Sequence, residues 1–146
     1  MIMKTGFSNN RVKIRGRIVE GLRVGADFTE VSWVRKQFIS KLNIDPYPGT
    51  LNLEIVEQKD LQNFEVLKAT QAAEILPEDP SFCSAKCYPV LINGQLRAAI
   101  VLPMVEGYPK NKMELIASQN IKKALSVKAG DDLDVEILSD CPYQIN

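Results

Sequence analysis

The chemistry in this sequence centres on Thr50 and Asn52, a hydroxyl and a carboxamide two residues apart in the stretch Asp45-Pro-Tyr-Pro-Gly-Thr-Leu-Asn-Leu53. Thr50, Asn52 and Glu54 alternate with Leu51, Leu53 and Ile55, which reads as a strand from Gly49 to Val56 with the leucine face buried and the polar residues side by side on the other face. Two neutral oxygen donors on one face suit a hard cation such as Mg²⁺, which keeps phosphates and waters in its shell. A plain polar face on any half-buried strand shows the same alternation. Pro46 and Pro48 fix their own φ and hold their neighbours extended, and Gly49 lets the backbone leave the turn, so the pair follows a rigid corner.

Other residue types narrow the chemistry. The sequence has no histidine, which removes the commonest general base, the Ser-His and Cys-His pairings and every histidine-metal motif. Catalysis must therefore use carboxylates, a lysine, a metal ion or positioning. Cys83, Cys87 and Cys141 are an odd number in a chain able to fold without staples, which argues for reduced thiols, and they make a poor zinc site. Gly21 and Gly25, within Glu20 to Ala26, allow a sharp turn with amides turned to an anion, although no P-loop Gly-Lys-Ser/Thr follows and an ordinary glycine loop fits better.

The elements that must position these residues belong to one ordinary globule. The chain of 146 residues is 45% apolar, enough for one domain with a real core, and 18 basic residues balance 18 acidic ones. That balance makes no case for a nucleic-acid or membrane surface. No stretch approaches the roughly 20 apolar residues of a membrane span, and Met1 to Asn10 lacks a signal-peptide core, so a cytoplasmic location is expected. Val12 to Val19 reads as a first strand with Val12, Ile14 and Ile18 inward and Gly16 interrupting the alternation. Ser32 to Leu42 reads as a helix capped by Ser32, with Val34, Phe38 and Leu42 on one face, Trp33 as core and a basic face of Arg35, Lys36 and Lys41.

Phe64 to Ala69 is a candidate strand, and Thr70 to Leu76 fits helix or strand. Ala85 to Ile92 and Leu96 to Leu102 form a hairpin through Asn93-Gly94, followed by a polar loop with Glu106, Tyr108, Lys110 and Lys112. Ser118 is a candidate cap for a short helix carrying Ile121, Ala124 and Leu125, and Leu133 to Leu138 is the last strand. About six strands and two short helices without regular alternation favour a mainly β, closed or nearly closed barrel in one domain, 12–139, between tails 1–11 and 140–146.

The order of motifs resembles the archaeal CTP-dependent riboflavin kinase family. The matching segments are Gly16 to Leu22, Phe38 to Leu53, Ala99 to Pro103, and Glu114 to Ala117 with Leu125 to Ile137. The resemblance implies a six-stranded cradle-loop barrel that transfers the γ-phosphate of CTP to the 5′-hydroxyl of riboflavin, giving FMN and CDP. It implies Mg²⁺ on Thr50 and Asn52, nucleotide phosphates wrapped by Gly21, Leu22, Arg23, Val24, Gly25 and Ala26, cytidine against Gln119, Asn120, Ile121 and Lys122, and Glu114 on the flavin side.

Two departures bear on activity. Arg23 and Ala26 stand where the family's loop carries a glycine and an arginine, and Glu106-Gly-Tyr108 replaces a Thr-x-His. A carboxylate beside a product phosphate repels it, whereas Glu106 suits a polyol hydroxyl or a base on another acceptor, with Tyr108 beside it. The expected partners are therefore CTP with riboflavin or a different small alcohol or sugar, in a monomer or small homo-oligomer. A non-catalytic nucleotide- or flavin-binding barrel and a DNA-binding barrel are the alternatives, and the neutral charge speaks against DNA.

Overall fold

In the computed structural model, which describes residues 12–21 and 28–138, the chain runs β1 (Lys13–Val19), α1 (Ser32–Leu42), β2 (Leu51–Glu54), α2 (Gln58–Lys68), β3 (Ala73–Ile75), β4 (Ala85–Ile92), β5 (Leu96–Pro103), β6 (Lys112–Ile116), α3 (Ile121–Leu125) and β7 (Asp132–Ile137). All strand pairs are antiparallel. The order β4-β5-β6-β2-β1-β7 closes through β4–β7 pairing into a six-stranded barrel, and β3 adds to the remaining length of the same β4 edge. The tails 1–11 and 140–146, with Cys141, lie outside the described residues. Among the described residues no helix is long and apolar enough to cross a membrane.

Alternating side chains build two apolar layers. Inward residues, among them Ile14, Ile18, Leu53, Val90, Ile92, Ile100, Leu115, Leu133 and Val135, fill the barrel. The outward set Ala85, Cys87, Ala99, Val101 and Ile116 packs instead under Val34, Phe38 and Leu42 of α1, the face read from the i, i+4, i+8 spacing. Trp33 is only partly buried and meets Phe82 edge-on, with ring centroids 5.3 Å apart.

Several local expectations are corrected. Val12 is exposed, and the inward residues of β1 are Ile14, Gly16 and Ile18. Gly16 therefore keeps the alternation, its missing side chain replaced by Leu53, whose Cβ would lie 2.9 Å from a Cβ at Gly16. Ser32 is the first helical residue, and the cap position of α1 falls on Val31, which makes no side-chain cap. Phe64 to Lys68 is helix, with Phe64 and Leu67 one turn apart against the barrel interior, and strand begins at Ala73. Asn120 caps α3, its side chain accepting from the Lys123 amide at 3.1 Å, and Ile121 is the buried residue of that helix.

The Asn93-Gly94 hairpin forms as expected, with φ of 51° and 68° in the left-handed region these residues tolerate. The outer edge of β3 is met by α1: Gln37 donates to the Leu76 carbonyl and accepts from the Leu76 amide, both at 2.8 Å, and the Lys41 ammonium donates to the Glu74 carbonyl. Phe38 is the largest fully buried side chain between α1 and the sheet. Truncation by Phe38→Ala should cost about 3–5 kcal/mol in urea unfolding, with the barrel interior itself untouched.

Candidate active site

The corner before β2 is held at four points. Helix α1 ends at Asn43, whose φ of 59° turns the chain and whose amide donates back to Ile39. Arg35 then grips Asp45 with two parallel bonds of 2.7 and 2.9 Å, and this guanidinium holds the Asp45 carboxyl below its usual range. Beyond the first proline the Tyr47 amide donates to the Ala117 carbonyl at 2.8 Å. The Gly49 amide donates to Oγ1 of buried Thr29, also at 2.8 Å.

Past that corner, β2 pairs on both sides, placing Asn52 opposite Val19 of β1 and Glu114 of β6. Thr50, Asn52 and Glu114 thus share the outer face of the barrel, beside the patch that α1 covers. The Thr50 hydroxyl donates to Glu114 Oε1 at 2.8 Å, and the Tyr108 hydroxyl donates to Glu114 Oε2 at 2.5 Å. Lys112 Nζ lies 3.9 Å from the same Oε2 and 5.4 Å from the Tyr108 ring centroid. Burial, the hydrogen bond to Glu114 and its negative charge together push the Tyr108 hydroxyl well above its ordinary range.

Asn52 is only 7% exposed, yet its carboxamide makes no hydrogen bond among the described residues. Gly21 packs against it so closely that a Cβ there would sit 1.9 Å from Asn52 Nδ2. Two cavities meet at this side chain. One, of about 290 Å³, is lined by Gly21, the Tyr47 to Asn52 segment and Gln119, Asn120, Ile121 and Lys122. The other, of about 300 Å³, shares Val19, Glu20, Gly21 and Asn52 and adds Glu54, Asn111 and Lys112.

The structure therefore brings together Thr50, Asn52, Gly21 and Gln119 to Lys122 around one cavity, with Glu114 and Tyr108 bonded to its edge. Leu22, Arg23, Val24, Gly25 and Ala26 lie outside the described residues. Glu106 sits on the exposed turn before Tyr108 and is not among the residues lining either cavity. The residues that sequence reading missed are Tyr47, Glu20, Asn111 and Lys112. The prolines beside Tyr47 marked its place, while the other three become neighbours of Asn52 only through strand pairing.

The oxygen donors of Thr50 and Asn52, with Glu114 behind them, fit a hard divalent cation. An open acceptor on a nearly buried, otherwise unbonded amide is what such a cation would occupy. A methyl group at Gly21 would push Asn52 out of that place. Gly21→Ala should therefore weaken Mn²⁺ binding by about tenfold or more, measured by electron paramagnetic resonance on the folded variant.

Residues 18–137 match the family model named for CTP-dependent riboflavin kinases and described as a domain of unknown function, DUF120. The chain is 38% identical over 124 residues to a riboflavin kinase of Methanocella arvoryzae, covering 85% of this chain and 56% of that protein. It is 31% identical over 134 residues to one from Saccharolobus solfataricus, covering 90% and 77%, and 31% identical over 132 residues to one from Staphylothermus marinus, covering 90% and 96%. The chain thus spans little more than half of some relatives and nearly all of others. With the matched region running from the first strand to the last and including the Thr50–Asn52 corner, this chain belongs to the CTP-dependent riboflavin kinase family.

Proposed function

We propose that this chain is a Mg²⁺- and CTP-dependent riboflavin kinase that transfers the γ-phosphate of CTP to the riboflavin 5′-hydroxyl, giving FMN and CDP. The observation that carries the reading is the meeting of two cavities at Asn52. One cavity takes the donor, lined by the residues Gln119 to Lys122 that the family places against cytidine. The other takes the acceptor, where Glu20, Glu54 and Asn111 offer hydrogen-bond acceptors to a polyol chain. The shared wall is then the point where the donor phosphate faces the acceptor hydroxyl.

Phosphoryl transfer passes through a loose transition state, so alignment and charge supply most of the rate and no strong base is required. That suits a chain without histidine. A bound Mg²⁺ would offset phosphate charge and orient the transferred group. Thr50 and Asn52 would hold it while remaining neutral themselves, leaving its full charge for the triphosphate. Lys122 adds a positive charge to the donor cavity and Lys112 to the acceptor cavity. The rigid corner from Asn43 to Gly49 keeps the Thr50 hydroxyl within hydrogen-bonding reach of Glu114 while substrates exchange.

A different small alcohol or sugar as acceptor is favoured by one feature, the exposed Glu106 on the turn leading to Tyr108, where the family carries a threonine. Calorimetric titration with CTP, ATP and riboflavin, each with Mg²⁺, followed by a product assay, tests both readings. Binding of CTP and riboflavin with FMN and CDP formed is the expected result. CTP binding without riboflavin would move the acceptor to another alcohol, and no nucleotide binding would overturn the kinase.

Two substitutions sharpen the test. Asn52→Ala should abolish Mg²⁺-dependent transfer, by about 100-fold or more, with the fold intact by circular dichroism. Glu106 lines neither cavity, so Glu106→Thr should leave riboflavin kcat/KM unchanged, and a raised value would place its carboxylate beside the product phosphate.

A further inference from the structure

We infer that Tyr108 is a positioning residue: through Glu114 it fixes the Thr50 hydroxyl so that lone pairs, and not a proton, face the donor cavity. The inference rests on the proposed reading of Thr50 and Asn52 as cation ligands, and adds to it a residue outside the ligand pair. The Glu114 carboxylate receives one hydroxyl on each oxygen, Thr50 at 2.8 Å on Oε1 and Tyr108 at 2.5 Å on Oε2. An ionised carboxylate can only accept, so both hydroxyls must donate. Its side chain is 14% exposed, and Lys112 Nζ lies 3.9 Å from the oxygen that Tyr108 bonds.

The consequence falls on Thr50. A free threonine hydroxyl can rotate to donate to a phosphate oxygen or to accept from a cation. With its proton committed to Glu114, Thr50 is an acceptor only, and it lines the donor cavity beside Asn52. Tyr108 completes the arrangement by occupying the second carboxylate oxygen and fixing the rotation of the Glu114 side chain. Without it, Glu114 can turn towards Lys112, and Thr50 recovers the choice to donate. Tyr108 stands at the end of a turn closed by its own amide, which donates to the Val105 carbonyl at 3.2 Å. Tyr108 would thus act on a cation ligand from two hydrogen bonds away, through Glu114.

The test uses Mn²⁺ as a spectroscopic substitute for Mg²⁺, bound to the full chain with CTP. In Tyr108→Phe, Mn²⁺ affinity read by electron paramagnetic resonance should fall about tenfold. Line broadening with isotopically labelled water should show an additional water on the bound ion, because Thr50 no longer ligates it. CTP affinity without metal should not change. Glu114→Ala, which removes both acceptor oxygens, should give the same two metal signals and keeps the inference testable should the phenylalanine variant fail to fold. Unchanged Mn²⁺ affinity and water count in both variants, with binding lost in Asn52→Ala, would overturn the role of Tyr108 alone. Mn²⁺ binding retained in Asn52→Ala would overturn the ligand reading, and the role of Tyr108 with it.

Discussion

The site depends on a strand of four residues. Leu51 to Glu54 is hydrogen-bonded to β1 on one side and β6 on the other, and without it the barrel has no link between those strands. The same pairing brings Gly21, Thr50, Asn52 and Glu114, separated by as many as 93 positions in sequence, onto one wall. Structure and chemistry therefore share a single set of backbone bonds. So short a strand gains its definition from what precedes it: the Arg35–Asp45 fork, the Tyr47–Ala117 bond and the buried Thr29 hydroxyl under Gly49 deliver the chain to β2 in one register. A slip by one residue would send Asn52 inward and Leu53 outward, emptying the interior and the site together.

The barrel uses both of its surfaces. Its inside is apolar and filled by side chains, so it offers no room for substrates, and the cavities form on the outer face. That face is divided. Over β4, β5 and part of β6 it is apolar and covered by α1; over β1, β2 and the start of β6 it is polar and open. The boundary runs along β6, where Ile116 belongs to the covered patch and Glu114, two residues earlier, to the site. Helix α1 thus covers the apolar part of the sheet and holds the corner through Arg35.

Much of this was legible in the residues. The two prolines and glycine announced a corner, the alternation after them a strand, and Asn93-Gly94 a hairpin, because each is local chemistry with few alternatives. The polar pair at Thr50 and Asn52 stood out for the same reason. Helix α2 was not legible: its buried residues are just Phe64 and Leu67, and Glu57 before it provides no side-chain cap, so neither periodicity nor a start signal marks it. Gly16 read as an interruption because a sequence does not reveal that Leu53 fills the space beside it. Tyr108, Lys112 and Glu114 are near neighbours in sequence, but that they converge on Thr50 follows from β2–β6 pairing, a long-range fact that no window of residues contains.

The meeting of α1 with β3 has a consequence for how the protein behaves in company. A barrel that closes has no edge, but β3 is added outside the ring and would present a bare strand to any passing chain. Gln37 bonds both the amide and the carbonyl of Leu76, and Lys41 takes the Glu74 carbonyl. These side chains occupy the groups through which a second sheet would dock. The helix that supports the site thereby also guards against strand addition between molecules, with a lysine placed where edge strands most need one.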